Sequence, residues 1–344
     1  MSFRVILAGA CSLTIAIGLL SARTPAGQQT PPQASDAIRR DVNLVDVLFT
    51  VFNKQNKIVS TLNESDFKVA DDGQPQRILF FNRQGDLPLR VGLLMDTSNS
   101  IRSRLKFEQE ALIDFLYTVI RREKDQTFLM TVEDDPQLVV PLTSDRNAVR
   151  DSILRQRAGG GTALYDAIYR AAEEMSKLPV GAGGQLDMRR VLVVVSDGDD
   201  TFSRRSRAQA LDMAQRAGIV IYTISTSTEW IVSDNKSRAA QTAQRKYMKT
   251  GGDKALEVFA EDSGGRAFFP YLIDDLALSF AAIGDELRNQ YSLAYIPSGR
   301  APDGKFHKIR VEAIPRDLQV RARSGYYAAQ PGAGAPVTIS APPR

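Results

Sequence analysis

Two hydrophobic rhythms divide the chain. From Leu89 to Leu287, short unbroken apolar runs alternate with stretches in which apolar residues recur every three or four positions, while the flanks on either side alternate residue by residue. Unbroken runs at Leu89–Met95, Thr127–Val132, Val191–Val195 and Ile219–Ile224 predict strands covered on both faces, as in a parallel sheet. Phe107, Ala111, Phe115 and Val119 carry helical spacing; Asn147–Arg155, Ala163–Leu178 and Arg207–Ala217 also read as helices, and Leu138–Leu142 as an edge strand. A short helix at Ala255–Glu261, a short strand at Arg266–Phe269 and a last helix marked by Leu276, Phe280, Ile283 and Leu287 close the series. Strand and helix in turn predict an α/β fold with a doubly wound, mostly parallel, Rossmann-like sheet.

The alternating flanks predict β structure. Val42 to Phe52 forms one segment, and Phe67, Val69, Ile78 and Phe80 alternate around an Asp72-Gly73 hairpin signal. Tyr291–Ile296, Lys308–Ala313 and Leu318–Tyr326 alternate in the same way, with Asp303-Gly304 as a hairpin turn. The C-terminal strands are too few for a core of their own, so residues 41–87 and 291–328 are expected to pair as one small β-sandwich-like module. The α/β domain, residues 88–290, then sits as an insertion within that module. Residues 226–253, polar and irregular with a lone Trp230 and Gly251-Gly252 at the end, read as a surface insertion on the domain's functional edge.

The N-terminus has a different character. Arg4, the apolar stretch Val5–Leu20 and the small-residue segment that follows have the form of a secretory signal peptide, residues 1–26, cleaved near Ala22 or Ala26. A polar linker, 27–40, comes next, and an Ala, Gly and Pro tail, 329–344, is expected to be disordered. This implies a secreted or periplasmic protein, with an uncleaved N-terminal membrane anchor as the alternative. Cys11 lies inside the leader, so the mature chain offers no thiol nucleophile, zinc-cysteine cluster or disulfide. His307, the one histidine, falls in a short strand far from any serine elbow and is expected to be an exposed strand residue, which argues against a Ser-His-Asp triad. Lys plus Arg is 44 against 40 for Asp plus Glu, a net charge of +4 without a basic block, so nucleic-acid binding gains no support.

Three separated pieces carry chemistry. Asp96-Thr97-Ser98-Asn99-Ser100 ends the first buried strand, Thr162 follows Gly159-Gly160-Gly161, and Asp197 ends the most apolar strand. Ser98, Ser100 and Thr162 offer neutral hydroxyls, and Asp96 and Asp197 offer carboxylates. This oxygen-only set suits a hard cation such as Mg²⁺, with Mn²⁺ or Ca²⁺ as alternatives. Ligands of open α/β sheets bind at the carboxyl ends of strands where strand order reverses, and both carboxylates are expected there. Asp199 and Asp200 read as turn and capping residues, and Asp166 as no closer than an outer shell.

In this order the residues resemble a von Willebrand factor type A domain with a complete metal-ion-dependent adhesion site, the pattern DxSxS, T, D, over about Leu89 to Gln290. The resemblance implies that Ser98 and Ser100 contact the metal directly while Thr162 and Asp197 exchange direct and water-mediated roles. It also implies a non-enzymatic protein that captures an Asp or Glu side chain of a protein partner. The flanking segments Leu62–Phe67, Asp71–Gln76, Tyr291–Leu293, Asp303–Phe306 and Gly325–Tyr327 are similar to secreted bacterial VWFA-related proteins. Two other readings stand beside this one: an assembly component whose cation stabilises the fold, and a metal-dependent phosphohydrolase using Asp96. The second lacks the acid a haloacid-dehalogenase-like site wants where Ser98 stands, and the Gly159–Thr162 segment lacks a P-loop lysine. The final helix runs into Tyr291 without a linker and is expected to carry movement from the crevice to the β module.

Overall fold

The computed structural model describes residues 44–328 apart from 84, 86, 180–187, 228–247, 271–272 and 299–302. The leader with Cys11, the linker, the tail, Trp230 and most of the 226–253 insertion lie outside the described residues. The chain begins with β1 (Val45–Asn53), β2 (Phe67–Asp71), β3 (Gln74–Gln76) and β4 (Phe80–Arg83). It continues through β5 (Leu89–Asp96), α1 (Leu105–Thr118), β6 (Gln126–Val132), β7 (Gln137–Thr143), α2 (Arg146–Arg155) and α3 (Leu164–Ser176). Next come β8 (Arg189–Ser196), α4 (Arg207–Arg216), β9 (Ile219–Ser225), α5 (Gly251–Ser263), β10 (Ala267–Phe268) and α6 (Ile273–Arg288). It closes with β11 (Tyr291–Tyr295), β12 (Phe306–Ala313), β13 (Leu318–Ala322) and β14 (Gly325–Tyr327).

The central sheet runs β10-β9-β8-β5-β6-β7, parallel except for the antiparallel edge strand β7. The unbroken apolar runs are explained by cover on both faces. Val91, Leu93 and Met95 pack with Phe115, Val149, Phe280 and Ile283 from α1, α2 and α6, while the intervening Leu94 packs with Ala167, Ile168, Ala214 and Phe259 from α3, α4 and α5. From β5 the chain steps one way to β6 and the other way to β8, so strand order reverses between β5 and β8. Asp96 and Ser196 end those two strands, side by side.

The two flanks meet as two four-stranded sheets, β13-β1-β11-β4 and β14-β12-β2-β3, each built from strands of both chain ends. Their shared core includes Val47, Phe49, Val51, Phe67, Val69, Tyr291, Leu293 and Tyr295. Phe49 stacks on Tyr291 at 5.4 Å and meets Phe67 edge-on at 5.0 Å, so an N-terminal and a C-terminal strand share one aromatic nucleus.

Several expectations need correcting. Phe81 rather than Phe80 points inward, because pairing of β4 with β11 sets Phe81 opposite the core residue Leu293; Phe80 is 43% exposed. The Leu318–Tyr326 segment is two strands, β13 and β14, that turn at Arg323-Ser324 into opposite sheets. For a similar reason Asp303-Gly304 is no hairpin turn between β11 and β12, since those strands also lie in different sheets. Gly251-Gly252 opens α5 instead of ending a loop, because Thr250 and Asp253 form a reciprocal capping box in front of it. His307 is 5% exposed, not a surface residue: Nδ1 lies 3.0 Å from Asp72 Oδ2 and Nε2 lies 2.9 Å from Asp303 Oδ1.

Candidate metal centre

At the reversal point three loops are laced together through their backbones. The Gly159 amide donates to Thr97 O at 2.8 Å and the Asn99 amide to Gly160 O at 3.0 Å, which joins the DxSxS turn to the glycine loop. Thr162 is bound on both sides to the loop after β8: its amide donates to Thr201 Oγ1 at 3.2 Å, and its carbonyl accepts the Thr201 and Phe202 amides at 2.9 and 3.0 Å. Gly161 has no room for a side chain, since a Cβ there would overlap the Phe202 ring and Asp134.

Within this lacing, oxygen meets oxygen. Ser98 Oγ is 2.9 Å from Ser100 Oγ, and Ser100 Oγ donates to Asp197 Oδ2 at 3.0 Å. Asp96 accepts the Ser98 amide at 2.9 Å on one carboxyl oxygen and the Ser196 hydroxyl at 2.6 Å on the other. Asp96 is fully buried; burial is the main force that raises its carboxyl to about 6, the bonds from Ser196 and Ser98 lower it, and the charge of Asp197 raises it further. Asp96, Ser98, Ser100 and Asp197 therefore converge, with Thr162, 4% exposed, on the adjoining loop. The set fits a hard cation: every side-chain donor among these five is a hydroxyl or carboxylate oxygen, and negative charge is in surplus.

The topology and this segment carry the decisive match: residues 91–199 fit the family model of the von Willebrand factor type A domain. That segment is similar to a von Willebrand factor type A domain. An uncharacterized protein of Borreliella burgdorferi is 27% identical over 186 residues, 53% of this chain and 51% of its own length, so the chain spans about half of that relative. Among solved structures, an aerotolerance-related membrane protein from Bacteroides fragilis is similar at 18% identity and a TM-score of 0.43, covering 59% of this chain and 98% of its own. A von Willebrand factor type A protein from Catenulispora acidiphila is similar at 11% identity and a TM-score of 0.44, covering 85% of this chain and 74% of its own. Likenesses at that level add nothing to the topology already described.

Around the von Willebrand factor type A crevice stand residues that the motif does not name. Ser196 fixes Asp96, as above. Arg104 donates to Asp197 Oδ2 at 3.4 Å, Ser100 O at 3.3 Å and Thr226 O at 2.7 Å. Glu108, 0% exposed in the first turn of α1, has no hydrogen-bond partner for either carboxyl oxygen among the described residues. Its place on the apolar stripe, three before Ala111 and seven before Phe115, is the sequence signal that could have found it. Gly252 meets the Asp197 loop backbone to backbone: a Cβ on it would overlap Asp197 O, and one on Gly198, whose φ is +81°, would overlap Gly252 O. Ser227 Oγ also donates to Asp197 O at 3.2 Å. Asp200 Oδ1 accepts the Tyr165 amide at the start of α3, and Asp166 accepts the Arg204 and Arg205 amides; these two acids hold loops.

Proposed function

We propose that this chain is an exported, non-enzymatic interaction protein that captures an acidic side chain of a protein partner through a divalent cation held by Asp96, Ser98, Ser100, Thr162 and Asp197. The observation that carries the reading is the hydrogen-bonded line Ser98–Ser100–Asp197 next to buried Asp96, at the point where strand order reverses. Two carboxylates and three neutral hydroxyls leave a bound Mg²⁺, Mn²⁺ or Ca²⁺ electrophilic toward an incoming carboxylate. Asp96, fixed by Ser196 and the Ser98 amide, positions the DxSxS turn; Ser98 and Ser100 present hydroxyls; Asp197 faces them from the neighbouring strand end. Export is supported by the leader pattern at residues 1–26. No helix among the described residues is long and apolar enough to cross a membrane.

A displayed library of random peptides, selected on the purified protein in Mg²⁺ and again in EDTA, tests the reading. Binders are expected to contain Asp or Glu, to lose binding when that residue is amidated, and to be absent with EDTA and with Asp96→Ala or Thr162→Ala. Binders that persist in EDTA would reject it. Retained peptide binding by Thr162→Ala, together with cation-dependent melting, would favour a purely structural ion.

A further inference from the structure

The crevice has a rim that the five-residue pattern does not describe, and its two ends are unlike. At one end stands Phe202, 56% exposed yet firmly held. Its amide donates to Thr162 O at 3.0 Å, and its ring fills the space left by the missing side chain of Gly161. The next residue is fixed as well: Ser203 Oγ donates to Asp200 Oδ1 at 2.6 Å and accepts the Asp166 amide at 3.0 Å. A lone exposed apolar residue is ordinary on a protein surface. A ring anchored through its own backbone, its neighbour and a glycine seat has already lost the freedom that binding would cost, and it still faces water beside Thr162.

At the other end the Arg102 guanidinium donates to Asn99 Oδ1 at 3.2 and 2.9 Å and to Ala158 O at 3.4 Å. Arg157, beside Ala158 in the chain, donates to the carbonyls of Leu154, Arg155 and Gln156. Both arginines are exposed, and among the described residues these partners are all neutral. Between the ends lies Gly159-Gly160-Gly161, backbone without side chains, where Asp134 accepts the Gly161 amide. From Ala158 to Gly161 the chain reaches at most about 10 Å, a span of three or four extended residues in a partner. We propose that this rim reads the residues flanking the captured acid: Phe202 takes an apolar side chain, and Arg102 with Arg157 takes a second carboxylate. Aromatic and arginine side chains are the groups that most often carry binding energy at protein interfaces. The segment recognised is thus a short extended stretch of a protein partner, acidic towards one end and apolar towards the other. This inference rests on the cation reading above and deepens it: the ion grips an acidic side chain, and the rim chooses among them.

Displayed peptides with a fixed central aspartate and random residues on both sides, selected on the full chain in Mg²⁺, test it. The wild type is expected to enrich an apolar residue on one side and a second acid on the other. Phe202→Ser should lose the apolar preference and keep the acidic one, and Arg102→Gln with Arg157→Gln should do the reverse. Each should bind the wild-type consensus peptide about tenfold more weakly, while Mn²⁺ affinity read by calorimetry stays within about twofold of the wild type. Flanks that remain random while the aspartate and Mg²⁺ are still required, or preferences that survive in these variants, overturn the proposal and leave the cation reading in place. Binders that persist in EDTA, or tolerate asparagine for the fixed aspartate, overturn both. If Phe202→Ser disturbs Mn²⁺ affinity, Phe202→Leu, which keeps the Gly161 seat filled, decides: the consensus peptide should bind about threefold more weakly, and equal affinity overturns the proposal.

Discussion

Two polar clusters lie in this molecule, and they are built on opposite principles. In the β module His307 places one ring nitrogen on Asp72 and the other on Asp303, an arrangement in which a doubly protonated ring donates to both carboxylates. Asp72 also accepts the Lys308 amide at 2.8 Å and Asp303 the Lys305 amide at 2.9 Å; the bond from His307 is the first cause that holds Asp303 below its usual range. Across the molecule, the crevice gathers Asp96, Asp197 and Glu108 around the single guanidinium of Arg104. The first cluster gives each carboxylate a ring nitrogen and a backbone amide as partners and ties β12 to the β2–β3 turn. The second leaves an imbalance that a cation can fill. What separates the two is how many partners each buried acid has.

Three measurements sharpen or break that contrast. The largest effect is expected at Asp96. Its folded value of about 6 lies above the ordinary 3.8, so the folded protein binds this proton more tightly than the unfolded chain. The stability this gives is fully present below pH 3.8 and is lost as pH rises through 6, a change of about 3 kcal/mol. Urea melts in chelator should therefore show Asp96→Asn gaining about 2.4 kcal/mol on the wild type between pH 4 and pH 7; parallel curves would mean the crevice carries no electrostatic penalty. A smaller effect is expected at His307. His307→Gln should cost about 1–2 kcal/mol in urea at pH 7 while Mn²⁺ affinity stays within about twofold, and a large change in affinity would erase the distinction between the clusters. The smallest belongs to Asp166. Burial raises its carboxyl, but the Arg204 and Arg205 amides and the Arg205 side chain lower it by more. Its contribution is therefore present above pH 3.8 and lost as pH falls through its lower folded value. Asp166→Asn should cost about 1 kcal/mol at neutral pH and almost nothing in strong acid, read by the same melts.

The central sheet was legible because each of its buried strands announces itself: Val91 to Met95 and Val191 to Val195 admit no face for water. The meeting of Ser98, Ser100 and Asp197 beside Asp96 was legible because strand ends and glycines fix where the chain can bring oxygens together. What escaped depended on distant partners. His307 reads as a surface strand residue because only Asp303 is near in sequence, and Asp72 reaches it from 235 positions away. The division of β13 from β14 is set by the Arg323-Ser324 turn, where the Ser324 amide donates to Asp262 O at 3.2 Å and its carbonyl accepts the Ile309 amide at 3.0 Å. Glu108 was hidden by the assumption that a helical stripe facing the core is apolar throughout.

Helix α5 spans from the crevice to the module. Gly252 in its first turn lies against the Asp197 loop, and at its other end a Cβ on Gly264 would clash with Arg323 N, in the turn that feeds both module sheets.

The way the module closes also has a mechanical meaning. Arg83, the last residue of β4, pairs directly with Tyr291, the first of β11, so the α/β domain leaves and re-enters the module at a single rung of one sheet. Tension between the two outer ends of the module is carried strand to strand across β1, β11 and β13, and the backbone of the crevice hangs beside that path as a closed loop. Until that rung parts, a pull on the chain does not stretch the segment that holds Asp96 and Asp197. Load applied at the outer ends of the module is thus kept off the crevice by one pair of strands.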